Sequence, residues 1–137
     1  MRNGWRGAAA AALWIGLLVP AQAEPRDLSG EYVMSGKGVG ENDRPYVGTC
    51  TLTAVDTIYE VSCFNSDTRH TYSGKGVLLG EQFSTVIGDT LKGDHSAAVY
   101  AGEYLVVYRL SPDKGMKGRW VHMTSGAHGE ETLTPKK

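Results

Sequence analysis

In 137 residues the chain has two cysteines and two phenylalanines, and nowhere does it keep a 3.6-residue apolar period over ten or more positions. The missing helical period argues against helix bundles and βαβ folds. No Cys-x-x-Cys pair and no His-Glu-x-x-His occurs, so the common zinc signatures are absent. No Gly-x-Ser-x-Gly elbow is present, which removes the usual strand-to-helix setting of a hydrolase serine. Charge of either sign is not in excess, with 14 basic and 15 acidic residues. A partner such as nucleic acid or an anionic membrane surface would call for a basic patch that this composition does not supply.

One long apolar run is present. Arg2 and Arg6 precede an apolar stretch over 8–19, and Ala21-Gln22-Ala23 follows it. This order predicts a secretory signal peptide over 1–23, cleaved after Ala23, whose core is too short for a stable membrane span. The residue immediately after the cleavage point is Glu24 and not a cysteine, which argues against a lipid anchor. The mature chain, 24–137, is expected to be periplasmic or secreted, with no membrane span of its own. Loss of Arg2 and Arg6 turns 14 basic and 15 acidic residues into 12 and 15, a net charge near −3. Trp5 and Trp14 leave as well, so Trp120 is the single tryptophan of the mature chain. Its length suits one domain with one core.

Within 24–137, short runs rich in Val, Tyr and Thr alternate with Gly, Asp, Asn and Pro. That pattern predicts an all-β domain with strands near 30–35, 46–54, 58–65, 70–78, 82–87, 97–100, 104–110, 117–123 and 127–133. Eight or nine strands joined by short turns favour an antiparallel up-and-down meander. A meander of this size either closes or leaves two edges open to aggregation, so a small barrel of about eight strands is expected. A two-sheet sandwich is the alternative.

The segment Cys50-Thr-Leu-Thr-Ala-Val-Asp-Thr-Ile-Tyr-Glu-Val-Ser-Cys63 allows a register argument. With Asp56-Thr57 as a two-residue turn, Val55 faces Ile58, Ala54 faces Tyr59, Leu52 faces Val61 and Cys50 faces Cys63. Counted outward from the turn, the cysteines occupy a non-hydrogen-bonded pair, where Cα atoms approach to about 4.5 Å, a separation that a disulfide tolerates. Cys50, Leu52, Ala54, Tyr59, Val61 and Cys63 share one face, expected to be the core face. Export makes a structural disulfide the natural state of such a pair.

Candidate chemistry is thin elsewhere. Ser35-Gly36-Lys37-Gly38-Val39 and Ser73-Gly74-Lys75-Gly76-Val77 look like phosphate loops, but each lysine is followed by glycine and no helix follows. A Walker loop needs Gly-Lys-Ser/Thr opening a helix N-terminus. The glycines read instead as bends or close approaches in barrel strands, and Lys37 and Lys75 as solvent-facing. A three-residue loop over 124–126 would set His122 opposite His128 as a potential metal pair, and a four-residue loop would offset them. No third ligand has a fixed spacing, so no metal and no cofactor is expected. Glu130-Glu131 in a strand points one carboxylate in and one out, which spoils them as an acid/base pair. No catalytic residue is assigned.

Aromatic and apolar residues remain. Tyr104, Val106 and Tyr108 alternate on one strand, Trp120 and His122 lie on the next, and Tyr32 is on the first. In a small barrel such inward aromatics with polar tips can line a pocket for one small ligand. These six residues are the candidate pocket.

Three family resemblances follow from short motifs. Leu28-Ser29-Gly30-Glu31-Tyr32-Val33 resembles the Gly-x-aromatic opening of the lipocalin and avidin families, the calycin barrels. That likeness implies an eight-stranded meander, and Arg119 would be the late-strand arginine that packs over the opening aromatic. Gly30-Glu31-Tyr32, Tyr46-Val47-Gly48, Tyr59-Glu60-Val61, Tyr72-Ser73-Gly74-Lys75-Gly76, Val106-Val107-Tyr108, Gly118-Arg119-Trp120 and Gly129-Glu130-Glu131-Thr132-Leu133 look like a pattern of small exported bacterial proteins, some labelled fibronectin-binding. The opening 28–36, followed by a strand-borne cysteine pair, is similar to the periplasmic inhibitors of serralysin-type metalloproteases. That resemblance implies an inhibitory N-terminus, here Glu24, Pro25, Arg26 and Asp27. The expected function is therefore binding without catalysis, of a small apolar or aromatic ligand in the barrel or of an extracellular or periplasmic protein at the loops. Protease inhibition is the alternative, and a weak hydrolase or metal-binding protein a second one.

Overall fold

The computed structural model describes residues 16, 26–40, 43–89 and 103–137. It contains eight strands and no helix among the described residues: β1 (Gly30–Gly38), β2 (Pro45–Val55), β3 (Ile58–Asn65), β4 (His70–Leu79), β5 (Gln82–Asp89), β6 (Glu103–Leu110), β7 (Met116–His122) and β8 (His128–Pro135). Each strand pairs antiparallel with the next, and β1 pairs with β8 from Tyr32 opposite Pro135 to Gly38 opposite Gly129. The result is a closed up-and-down barrel. Closure leaves no unpaired strand edge, which removes the template for aggregation that an open meander would present. The expected sandwich alternative is thereby set aside. The expected strand at 97–100, the signal segment apart from residue 16, and residues 24 and 25 lie outside the described residues.

The β2–β3 hairpin has the register that the cysteines imply. Cys50 faces Cys63, Leu52 faces Val61, and Val55 faces Ile58 across the Asp56-Thr57 turn. Asp56 takes a positive φ of 54°, a conformation that aspartate tolerates better than most residues. The Cys50–Cys63 disulfide joins Cα atoms 4.0 Å apart. Cys50, Leu52, Tyr59, Val61 and Cys63 are all buried, as the alternation requires. Ala54, expected on the same core face, is exposed; it lies beyond Leu52, where the pairing of β2 with β1 ends.

The two ends of the barrel differ. At one end the chain 26–29 crosses the opening and seals it. Leu28 is 2% exposed; its N–H donates to the Tyr59 hydroxyl, and its carbonyl accepts from the Tyr32 hydroxyl at 2.8 Å. The Arg26 guanidinium donates to the Ser111 carbonyl at 2.9 Å, on the β6–β7 turn at that same end. Above this seal the interior is solid, with Phe83 stacked on Tyr108 and set edge-on to Tyr59, and with Met116, Leu52 and Leu133 filling around them. The other end gathers the β1–β2, β3–β4 and β7–β8 connections and the mouth ends of β5 and β6. No helix of the described residues is long and apolar enough to cross a membrane.

Candidate functional site

The open end holds a pocket of about 420 Å³. Period-two alternation selects its wall: on each strand, every second residue points inward, and the inward residues nearest the mouth face the pocket. They are Tyr46 on β2, Tyr72 on β4, Ile87 on β5, Tyr104 and Val106 on β6, Trp120 and His122 on β7, and Glu131 on β8. Two larger depressions, of about 530 and 520 Å³, lie on the outer wall between outward-facing side chains such as Glu60 and Lys75, or Arg109 and Lys117. They lack the inward ring wall, and the interior pocket is the better site on chemical grounds.

Aromatic rings build one side of the pocket. Tyr72 meets Tyr104 edge to face with centroids 5.6 Å apart, Tyr104 meets Trp120 at 5.6 Å, and Tyr104 meets His122 at 4.8 Å. Two of the rings fit because glycine stands opposite them across the ladder. Gly36 faces Tyr46 and Gly129 faces Trp120. A Cβ at Gly129 would overlap the Lys37 carbonyl oxygen and come within 2.6 Å of the Trp120 ring. Gly36 of the first Ser-Gly-Lys-Gly segment therefore makes room for a ring, while Lys37 and Lys75 are exposed, Lys75 paired with Glu60 at 3.7 Å.

Glu131 forms the floor. It is 7% exposed, accepts a 2.6 Å hydrogen bond from the Tyr46 hydroxyl through Oε2, and accepts another from the buried Tyr108 hydroxyl through Oε1. Burial pushes its pKa above the ordinary carboxylate value, and the hydrogen bonds from Tyr108 and Tyr46 pull it back only in part. Tyr46 and Tyr108 are themselves pushed up, first by burial and then by the nearby carboxylate, so both stay protonated and donate. Tyr72 and Tyr104 are raised chiefly by burial. The Trp120 indole N–H acts on the Tyr46 hydroxyl, lowering its pKa. It is buried and makes no hydrogen bond of good geometry among the described residues.

The rim is polar. The Ser125 backbone N–H donates to His122 Nδ1, making Nδ1 an acceptor, and the Ser125 hydroxyl lies 2.7 Å from the same nitrogen. His122 thus caps the β7–β8 turn. Its carbonyl and N–H pair with the turn so that 123–126 form a four-residue loop, and His128 falls opposite Val121. The two histidines are offset, and the metal-pair geometry of a three-residue loop does not arise. No group of three metal-ligating side chains converges among the described residues. His70 reaches Asp89 at 2.9 Å on the same rim, and Arg44 lines the mouth.

Of the six residues expected in the pocket, Tyr104, Val106, Trp120 and His122 line it. Tyr32 does not, because it sits at the sealed end with its hydroxyl tied to Leu28. Tyr108 lies one layer below the floor, 1% exposed, and reaches the site only through Glu131. Arg119 is on the outer face, opposite Glu130, and does not pack over Tyr32 as the calycin likeness implied. Of the N-terminal candidates, Arg26 is bound to the sealed end, and Asp27 accepts from the Ser29 N–H. Sequence reasoning missed Tyr46, Tyr72 and Glu131. For Glu131 a signal existed, since Gly129 and Leu133 share its parity and both are buried.

No protein-family model matches this chain, and no curated protein does. The barrel is established by its own strand pairing.

Proposed function

We propose that the protein is an exported, non-enzymatic binding protein that takes a small apolar or aromatic molecule into the open end of its barrel. The observation that carries this reading is the ring-lined pocket of about 420 Å³ above a solid plug. Its size falls in the range of about 300–1,000 Å³ typical of small-ligand sites, and its wall is mainly apolar with a few convergent polar groups. Both Glu131 oxygens are taken by tyrosine hydroxyls, and His122 Nδ1 is taken by Ser125, which supports recognition rather than proton transfer. Export rests on the 1–23 segment and agrees with the disulfide. The protease-inhibitor alternative draws less support, since Arg26 and Leu28 of the N-terminal segment are engaged in sealing the barrel.

The test is a titration of the purified, oxidised protein with the neutral apolar probe N-phenyl-1-naphthylamine, with Trp120 emission isolated by comparison with Trp120→Phe. Saturable quenching at one site per chain, weakened at least tenfold by Tyr104→Ala, is expected. A flat titration, or an affinity unchanged by Tyr104→Ala, would overturn the reading.

A further inference from the structure

The floor of the pocket holds an acid without a counter-charge. Glu131 is 7% exposed and accepts from Tyr46 and Tyr108. Neither donor is charged, and no ion pair joins Glu131 to a cation among the described residues. A buried carboxylate held by neutral donors alone is costly, and it resists ionisation until a positive charge comes near. The upward push of burial on its pKa agrees with this.

Around and above that acid stand four rings, Tyr46, Tyr72, Tyr104 and Trp120, all on the wall of one pocket. Tyr72 and Tyr104 are turned 90° to each other, and Tyr104 and Trp120 71°. These edge-to-face contacts pack the rings into one continuous wall that lines the pocket. Aromatic faces carry negative potential and attract cations, tryptophan most strongly.

We infer that the pocket takes a small organic cation, a protonated or quaternary amine, whose ammonium sits above Glu131 against the four rings. This rests on the pocket being a binding site and narrows its ligand class. An ammonium supplies the charge that Glu131 lacks, and the rings replace part of the water it gives up on entry. A neutral molecule of the same shape fills the pocket but leaves the acid uncompensated. An anion of that shape meets the acid directly. The two basic residues on the wall, Arg44 and His122, stand at the rim, where β2 begins and β7 ends, rather than at the floor.

Calorimetric titration of the oxidised protein at pH 7 with phenethylamine, phenethyl alcohol and 3-phenylpropionate separates these cases. The amine is expected to bind at least tenfold more tightly than the alcohol, equivalent to about 1.4 kcal/mol, with the acid weakest. Glu131→Gln is expected to abolish the amine preference. Tyr72→Leu, at a half-buried wall position, should lower the amine-to-alcohol ratio at least threefold, and it decides the matter if the glutamine variant does not fold. Alcohol binding as tight as amine binding, a preference for the acid, or a preference that survives the folded variants overturns this inference and leaves the binding reading standing. Failure of all three probes to bind overturns both.

Discussion

Glu131 shows how much one position depends on its neighbours. Beside Glu130 in the sequence, it is separated from it by the wall of the barrel: Glu130 is exposed, and Glu131 is buried under the pocket. The alternation of a strand dictates that split, and the buried Leu133 two residues on tells which acid turns inward. What alternation could not tell is that Tyr46 and Tyr108 meet that acid from other strands. The raised pKa has a consequence for stability. Between the ordinary glutamate pKa and the raised folded-state value, the folded protein holds a proton that the unfolded chain has released. Stability contributed by Glu131 is therefore present at low pH and lost as pH rises through the folded pKa. Denaturant titrations of the native protein and Glu131→Gln across pH 4 to 7 should diverge in that sense, the variant gaining relative to the native protein as pH rises. Parallel curves would contradict the buried, proton-retaining acid.

Among the elements, the β2–β3 hairpin was the most legible. A two-residue turn and two facing cysteines over-determine its register, so local chemistry was enough to align Cys50 with Cys63. The disulfide closes a short loop, with its cysteines 13 positions apart. Its removal in Cys50→Ala/Cys63→Ala should lower the unfolding free energy by about 2–3 kcal/mol in the chain-entropy view, measured by urea denaturation with the barrel's far-ultraviolet signal retained. The β7–β8 hairpin was less legible, because 123–127 hold no residue pair that selects one loop length. Its outcome turned on His122 and Ser125 capping a four-residue loop, which moved His128 opposite Val121. On β8, Gly129 lies against the Lys37 carbonyl and the Trp120 ring. Gly129→Ala should cost about 1–3 kcal/mol by overpacking and should shift Trp120 emission, whereas a silent substitution would place the ring elsewhere.

For the whole molecule, the asymmetry between a sealed end and an open end is the organising fact. Leu28 and Arg26 close the base, and the ring cluster surrounds the mouth. Leu28→Ala should destabilise the protein by about 2–5 kcal/mol, as deletion of a buried leucine does, while leaving probe affinity at the far end within about twofold. Loss of both together would mean that the two ends are not independent. The positions of the eight described strands, most of the inward and outward faces and the disulfide hairpin were determined by the sequence alone, because each depends on contacts within a few residues or on a period of two. Closure of β1 on β8, the choice of Tyr104 and Trp120 for the pocket over Tyr32 and Tyr108, and the setting of Glu131 were decided only by the tertiary structure. Alternation says whether a side chain points inward, but its depth along the barrel and its partners across it depend on the stagger of all eight strands. That stagger is a property of the closed sheet and of no single segment.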